Sequence, residues 1–270
     1  MKKEKATNYS VGVGLLKDED IYQIDQITFK NINSNELSHG EGGSFDIYVD
    51  EGNRHIFKKL AKDSVPLDSI ADIRTGIMGF EYWNMEPHIT DGKVGRDSIR
   101  IITNSHLDKY TFLFNKKINL YKKIFNNPYL SLDKAPINKN TRGFFAKKKI
   151  IVRGVAKRLT ATLDDSGYAF LVAVHAIISK DKKFNDLYIL ALLNSKLFNW
   201  IHKTKFYSAR IPMGSLKYPV SFFKTLPIKI AAEKDKKTIS AVVDKILTIT
   251  KDDDYLENST KQAKVRDYEK

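Results

Sequence analysis

Apolar residues recur along the chain in short runs that predict β-strands and in two longer stretches with helical spacing. The runs that predict strands are residues 21–24, 27–29, 45–49, 55–57, 99–102, 110–114, 149–153 and 170–178. The last run is rich in Val and Ile, which is typical of a buried strand. Residues 50–53 have the composition of a turn that would join two strands in a hairpin, and residues 164–167 fit a second hairpin turn.

Two amphipathic helices are predicted in the second half of the chain, over residues 186–203 and 231–250. Their apolar stripes are Leu190, Leu193, Leu197, Trp200 and Ile201 in the first helix, and Ile239, Val242, Val243, Ile246 and Leu247 in the second. Asn185 or Asp186 would cap the first helix. The polar tail, residues 251–270, is expected to be frayed.

Together these elements predict an α/β (α+β) fold with a mixed, largely antiparallel sheet, a long amphipathic helix and a C-terminal helix. Three segments are expected. Residues 1–64 form a linker or part of the same globule, residues 65–230 form the main domain, and residues 231–270 contain the C-terminal helix and the tail. Within the main domain, Gly76 and Gly79 predict a tight turn where two backbones approach closely.

Composition narrows the class of protein. The chain has 270 residues, 42% of them apolar and none of them cysteine, which excludes disulfides, thiolate nucleophiles and cysteine zinc sites. No apolar run reaches about 18 residues, so no membrane span is expected. The N-terminus has no apolar region typical of a secretory signal, and a cytoplasmic protein is therefore the simplest prediction.

Positive charge is concentrated in one part of the chain. The formal net charge is +14, and the segment from Asn140 to Lys224 contains 16 Lys and Arg residues but only 4 Asp. So dense a basic stretch favours a polyanionic partner such as DNA. A lysine-rich composition that merely reflects an AT-rich genome is the alternative for the charge taken alone.

Few residues have the spacing that enzyme chemistry requires. Gly12-Val13-Gly14 lacks the third glycine of a dinucleotide-binding loop, and Asp46, Asp50 and Glu51 lack the usual spacing of nuclease carboxylates. Asn126-Asn127-Pro128-Tyr129 is similar to the Asn-Pro-Pro-Tyr loop of amino-methyltransferases, but it has a single proline and is better explained as a turn.

The histidines do not indicate a metal site either. None of the six forms a pair at metalloprotease spacing; His175 is expected in the core, and His202 on the surface or facing a phosphate. The sequence therefore predicts no catalytic residue, no metal site and no cofactor in this chain.

Five segments, in this order, resemble one known family. They are residues 70–79, 149–153, 158–164, 190–197 and 219–228, the last of which ends in Leu226-Pro227-Ile228. The order is similar to the TaqI-like C-terminal specificity domain of adenine-N6 DNA methyltransferases and fused type IIG restriction–modification enzymes. It is distantly similar to type I specificity subunits, whose packing helix residues 231–250 would match. The resemblance covers about residues 65–230.

The resemblance implies a non-catalytic domain or subunit that recognises a sequence in double-stranded DNA. S-adenosylmethionine would be bound by a catalytic partner or a separate catalytic domain, which in the family usually precedes this region. Since only about 65 residues precede it here, we expect a truncated piece, a separate specificity subunit or a degenerate relative. The DNA sequence and the oligomeric state are not predicted.

Cations, hydroxyls and aromatics of this region are the candidate DNA contacts. They are Arg74, Lys147, Lys148, Arg153, Lys157, Arg158, Lys203, Lys205, Tyr207, Ser208, Arg210 and Lys217. Arg210, on an expected surface loop over residues 203–218, is the foremost candidate. Arg153 and Lys157 would share a face if the strand continued regularly through Gly154. Arg74 could equally be a salt-bridged residue in a turn, and Tyr207 could dock its loop on the core.

Two other functions stay open at this point. One is a small methyltransferase or nuclease, which the residues 126–129 and the carboxylates near residue 50 would serve. The other is a protein-interaction subunit that binds a partner through residues 231–250, although that helix could instead close its own domain.

Overall fold

The computed structural model describes residues 9–14, 27–34, 51–171, 173–205, 210–211 and 214–270. Its backbone divides into two units, Met1–Lys59 and Leu60–Lys270. In the first unit, β1 (Ser10–Val13) pairs antiparallel with β2 (Lys30–Asn33). The strands predicted at residues 21–24 and 45–49 lie outside the described residues, and residues 27–29 precede β2 without belonging to a strand.

The remaining elements belong mainly to the second unit. The helices are α1 (Glu51–Ala61), α2 (Leu67–Ile70), α3 (Gly79–Met85), α4 (Lys139–Ala146), α5 (Asp186–Asn194), α6 (Lys196–Lys205), α7 (Val220–Lys224), α8 (Glu233–Thr250) and α9 (Ser259–Tyr268). The strands are β3 (Ser64–Pro66), β4 (Ala71–Thr75), β5 (Ile89–Asp91), β6 (Ser98–Ile102), β7 (Leu107–Asp108), β8 (Thr111–Phe112), β9 (Ile118–Leu120), β10 (Lys123–Phe125), β11 (Pro128–Ser131), β12 (Lys149–Arg153), β13 (Val155–Ala156), β14 (Ala161–Asp164), β15 (Ala169–Phe170), β16 (Val174–Ser179), β17 (Arg210–Ile211), β18 (Ser215–Lys217) and β19 (Pro227–Lys229).

A four-stranded antiparallel sheet of order β14-β12-β16-β4 lies at the centre of the second unit. Ile150, Ile151 and Val152 of β12 are fully buried because both faces of the sheet are covered. One face joins a core that contains Phe144 and Phe170, next to a second sheet of order β15-β6-β11-β5. The other face packs on α5 and α7. The predicted class, a mixed α/β fold with largely antiparallel sheets, is confirmed.

A buried ion pair joins β12 to β14. Lys149 and Asp164 face each other in the register, and Lys149 Nζ lies 2.5 Å from an Asp164 carboxylate oxygen with both side chains fully buried. Lys149 Nζ also donates to the carbonyls of Phe145, at 2.5 Å, and Lys147, at 3.2 Å. Burial lowers the pKa of Lys149, and Asp164 opposes that shift. Lys149 is therefore structural, although in the sequence it belongs to a basic run.

The hairpin predicted from strands at residues 45–49 and 55–57 with a turn at residues 50–53 is wrong, because residues 51–57 belong to α1. Ile56 and Leu60 are four residues apart, which is helical spacing, and Lys58 and Lys59 in the last turn favour the helix dipole. Alternation over so few residues could not distinguish the two structures.

Residues 164–178 form a turn and two short strands, whereas the sequence predicted a hairpin and one long strand. Asp164 accepts hydrogen bonds from the backbone N–H groups of Ser166, Gly167 and Tyr168, and Gly167 has φ +81°. The flanking strands do not pair with each other, since β14 pairs with β12 and β15 pairs with β6. Ala173, with φ +64°, separates β15 from β16 so that the chain changes sheets.

The predicted helix at residues 186–203 is two helices, with the break at Ser195. Asn185 caps α5 by accepting from Tyr188 N, as expected, while the Ser195 hydroxyl accepts from Phe198 N at the start of α6. The predicted strand at residues 110–114 is likewise shortened to β8, because Tyr110 takes a left-handed turn at φ +61°.

The C-terminal segment is ordered, and the expectation of a frayed tail is wrong. α9 begins after Asn258, whose side chain accepts a hydrogen bond from Lys261 N and caps the helix. Val265 of α9 is buried. Glu269 then pairs with Lys109 at 2.9 Å. The predicted helix at residues 231–250 is confirmed as α8, which packs against α5 and α9 and thus closes its own unit.

The glycine turn predicted near residue 76 brings two backbones together. A Cβ on Gly76 would lie 2.1 Å from the carbonyl oxygen of Leu171, and Gly76 N donates to the Val174 carbonyl. The close approach is therefore confirmed. Among the helices of the described residues, none is both long and apolar enough to cross a membrane.

Candidate nucleic-acid interface

A small antiparallel sheet of order β13-β18-β17 joins the two basic stretches that the sequence separates. Val155 of β13 lies opposite Lys217 of β18, and Leu216 lies opposite Arg210 of β17. The segment 203–218, predicted as a surface loop, therefore includes two strands within its described residues. Pairing across this sheet brings the residues after β12 next to the residues before α7.

An open groove lies beside this sheet and is called the basic groove below. It encloses about 670 Å³ and is lined by Asn104, Asp108, Arg153, Val155, Ala156, Lys157, Arg158, Thr160 and Ser215. Lys217 lies two residues beyond Ser215 and therefore shares its face of β18. The groove carries three cations and one carboxylate, so its charge favours an anionic ligand.

Arg153 lines the groove and is held in place there. Its Nε donates to the Asn104 carbonyl at 2.7 Å. Asn104 is itself fixed, because its side-chain amide donates to the Val155 carbonyl at 2.7 Å and its amide oxygen accepts from Val155 N at 3.3 Å. Burial lowers the pKa of Arg153, and the Asp108 carboxylate opposes that shift. Because arginine is not deprotonated in proteins at neutral pH, Arg153 is a cation that the protein holds in one position.

The other two cations of the groove are more exposed. Lys157 is exposed. Arg158 is also largely exposed, and its guanidinium lies 3.5 Å from an oxygen of Asp108. Exposed pairs of this kind contribute little stability and exchange readily with other partners. Lys157 and Arg158 are therefore less constrained by the protein than Arg153.

Two buried histidines hydrogen-bond to the backbone at the end of β18 and at the residue that follows it. His202 is fully buried, and its Nε2 donates to the Lys217 carbonyl at 2.8 Å. His175 is 8% exposed and hydrogen-bonds to the backbone of Tyr218. Burial lowers the pKa of each histidine to about 4, so both are neutral at pH 7. The core position predicted for His175 is confirmed, whereas the surface position predicted for His202 is wrong.

Gly154 interrupts the strand between Arg153 and Lys157. Its N–H donates to the Ala173 carbonyl at 2.8 Å, and its carbonyl accepts from Tyr218 N at 2.8 Å. A Cβ at Gly154 would lie 2.7 Å from the Ala173 oxygen, so a side chain does not fit. The strand does not continue regularly through Gly154, so Arg153 and Lys157 do not share a strand face. Both residues nevertheless line the basic groove.

Three of the predicted contacts lie away from the basic groove. Arg74, on the edge strand β4, pairs with Asp72 at 3.0 Å and stacks over the Phe144 ring at 4.3 Å. The salt bridge agrees with the alternative given for Arg74, but the residue lies in a strand and not in a turn, and its role in DNA binding stays a prediction. Lys147 and Lys148 are exposed, but they precede β12 and so lie at the opposite end of that strand from Arg153.

The remaining predicted contacts are described only in part. Lys203 and Lys205 are exposed in the last turn of α6. Tyr207 and Ser208 lie outside the described residues, and for Arg210 only the backbone in β17 is described. The roles of all these residues in DNA binding stay predictions.

The sequence analysis missed Asn104, Asp108 and Ser215, which line the groove without carrying positive charge. Asn104 begins a short 3-10 helix whose cap, Thr103, is a visible sequence signal. That signal marks the turn but gives no indication that Asn104 meets Val155, 51 residues away.

The turn at residues 126–129 has a structural explanation. Asp91 accepts hydrogen bonds from the backbone N–H groups of Asn126 and Asn127, and Pro128 begins β11. This agrees with the predicted Asn-Pro turn. Within the described residues, no group of three or more His, Asp or Glu side chains could hold a metal ion.

A comparison with known families identifies the region that holds most of the groove. Residues 110–228 match the model of the TaqI-like C-terminal specificity domain. This region of the chain is therefore similar to a TaqI-like specificity domain. The matched region includes Arg153, Lys157, Arg158 and Lys217, and the predicted resemblance is confirmed. No curated protein matches the chain.

Solved structures that align with this chain include an HsdS subunit, a type IIL restriction-modification enzyme and a type IIG restriction endonuclease. The HsdS subunit from Thermoanaerobacter tengcongensis is 10% identical, with a TM-score of 0.42 over 80% of this chain and 48% of that one. The type IIL enzyme MmeI in complex with DNA is 12% identical, with a TM-score of 0.46 over 75% and 33%. The type IIG endonuclease BpuSI is 11% identical, with a TM-score of 0.46 over 94% and 36%. This chain spans less than half the length of each.

Proposed function

We propose that this chain recognises a sequence in double-stranded DNA as the specificity component of a restriction–modification system. The observation that carries the proposal is the position of the basic groove: Arg153, Lys157 and Arg158 line it, and all three lie in the TaqI-like specificity domain. A groove with a concentrated positive charge is expected to lower the dissociation constant for DNA through counterion release.

The groove also combines the two kinds of contact that sequence recognition needs. Mobile cations bind phosphates and position the protein, while side chains held in a fixed geometry distinguish base edges. Lys157 and Lys217 are exposed lysines, whereas Arg153 is fixed through Asn104. A groove that bound DNA through charge alone would not need the fixed arginine.

The proposal includes a catalytic partner or a catalytic domain outside this chain. In the adenine-N6 methyltransferases that the sequence resembles, methyl transfer from S-adenosylmethionine takes place in a domain separate from the specificity domain. We propose that this chain contributes the DNA sequence specificity and that the partner binds the cofactor. Calorimetry with S-adenosylmethionine alone, expected to show no binding, tests this part.

Selection from a randomised duplex library at moderate salt tests the function itself. We expect enrichment of a short sequence motif. For about four phosphate contacts, we expect a slope of log K against log salt near −3.6. A variant with Lys157 and Lys217 both changed to Gln should retain the motif with a slope closer to zero by about 2. DNA recovered without a motif, or binding that ignores salt, would contradict the proposal.

A further inference from the structure

The guanidinium of Arg153 has a fixed orientation and free donors. Nε is used by the Asn104 carbonyl, whereas Nη1 and Nη2 have no hydrogen-bond partner among the described residues. Arg153 lines the basic groove, so these donors are available to a ligand that enters it. A guanidinium presents its donors in a planar fork, which matches two acceptors side by side.

The fixation of Arg153 favours a base edge over a phosphate as its target. Ordering a free arginine on a ligand costs side-chain entropy, and here the Asn104 contact has already reduced that cost. A phosphate is accessible to mobile side chains at many angles, whereas a base edge is recognised only in one geometry. Lys157 and Lys217, which are exposed and have no such anchor, suit the phosphates better.

The carboxylate of Asp108 also favours a base edge over a phosphate as the target of Arg153. It lies in the groove with Arg153 and pairs with Arg158 at 3.5 Å. Its negative charge repels a phosphate from this part of the groove and partly neutralises Arg158. A base edge has no formal charge, so the repulsion that it meets is weaker.

We infer that Arg153 reads a guanine in the major groove of the target DNA, while Lys157 and Lys217 contact phosphates. Of the base edges exposed in the major groove, guanine presents two adjacent acceptors, O6 and N7, and this is the pair that a forked arginine recognises. The inference rests on the proposed function and adds to it one residue and one base. It predicts that the selected motif contains a guanine.

A matched pair of variants tests the inference once the wild-type motif is known. Arg153→Met and Lys157→Met each remove one positive charge from the groove and keep an unbranched side chain. Dissociation constants are measured on the motif, on every single-base variant of it and on unrelated duplexes, over a range of salt.

We expect Arg153→Met to weaken binding to the motif by about 5- to 150-fold and to abolish the preference for guanine at one position. Binding to unrelated duplexes should change little, and so should the salt slope. Lys157→Met should weaken binding to all duplexes alike and reduce the salt slope by about 0.9. A uniform loss with a reduced slope for Arg153→Met would make Arg153 a phosphate contact and overturn the inference.

A change in the DNA tests the same contact in the unaltered protein. Replacement of the guanine by 7-deazaguanine removes the N7 acceptor and leaves base pairing intact. Wild-type affinity should fall, while Arg153→Met should bind both duplexes equally. Equal losses in the two proteins, or a motif without guanine, would overturn the inference while leaving the proposed function standing. A wild-type protein that selects no motif would overturn both.

Discussion

The buried pair of Lys149 and Asp164 allows a quantitative test of the packing. In Lys149→Met, the Asp164 carboxylate keeps its three backbone N–H donors but loses its buried counter-charge. Removal of one partner from a buried ion pair costs about 3–5 kcal/mol. Because those three hydrogen bonds compensate part of the carboxylate charge, we expect about 3 kcal/mol for Lys149→Met.

Asp164→Leu should cost more than Lys149→Met, about 5 kcal/mol. It leaves the Lys149 ammonium buried with only the carbonyls of Phe145 and Lys147, and it removes the acceptor for the turn after β14. The double variant removes both charges. Its loss of unfolding free energy should be smaller than the sum of the two single losses by about 2 kcal/mol.

Urea unfolding followed by circular dichroism measures these costs. With a slope of about 2 kcal/mol/M, Lys149→Met should lower the urea midpoint by roughly 1.5 M without changing the slope. Lys251→Met is the matched control, since Lys251 pairs with Asp165 at 2.6 Å on the same turn, but its side chain is 61% exposed. It should cost less than about 1 kcal/mol. Equal costs for Lys149→Met and Lys251→Met, or an additive double variant, would refute the reasoning.

Two further predictions concern the scaffold. Burial lowers the pKa values of His106, His175 and His202 to about 4. Between pH 6.5 and 4 the unfolded chain therefore binds protons that the native state does not bind, and the stability of the protein falls as the pH falls. From pH 7.5 to 5 the loss should be on the order of 2 kcal/mol per histidine, and an unchanged urea midpoint would contradict it. Gly76→Ala should destabilise the protein by more than about 2 kcal/mol in urea unfolding, because its Cβ would overlap the opposite backbone. Gly143→Ala, on the open side of α4, should be neutral or stabilising in the same measurement.

Elements with a strong local pattern were predictable from the sequence. The continuous apolar run of β12 and the repeated stripe of α8 were both predicted nearly at their observed bounds. α1 and α9 were missed. In α1 the apolar residues are too few to distinguish alternation from helical spacing, and α9 is stabilised by contacts such as the pair of Lys109 and Glu269, 160 residues apart.

The candidate site was predictable in its charge but not in its geometry. Basic residues are visible in the sequence, yet nothing local distinguishes Lys149, which is buried opposite Asp164, from the exposed Lys147 and Lys148. The pairing of β13 with β18 and the anchoring of Arg153 by Asn104 are long-range contacts. A single sequence contains no periodic signal for such contacts.

Assembly of the basic groove from distant segments would also link the proposed DNA binding to folding. Its walls include Asn104, Arg153 and Ser215, and the hydrogen bonds that fix it connect β13 to the segment near residue 104 and to β18. Such long-range closure is the slow part of folding, so the groove should form only after most of the chain has been synthesised. A nascent chain would then have no affinity for its site. In the finished protein, bound DNA should raise the melting temperature in proportion to the logarithm of its concentration, since only the closed fold binds it.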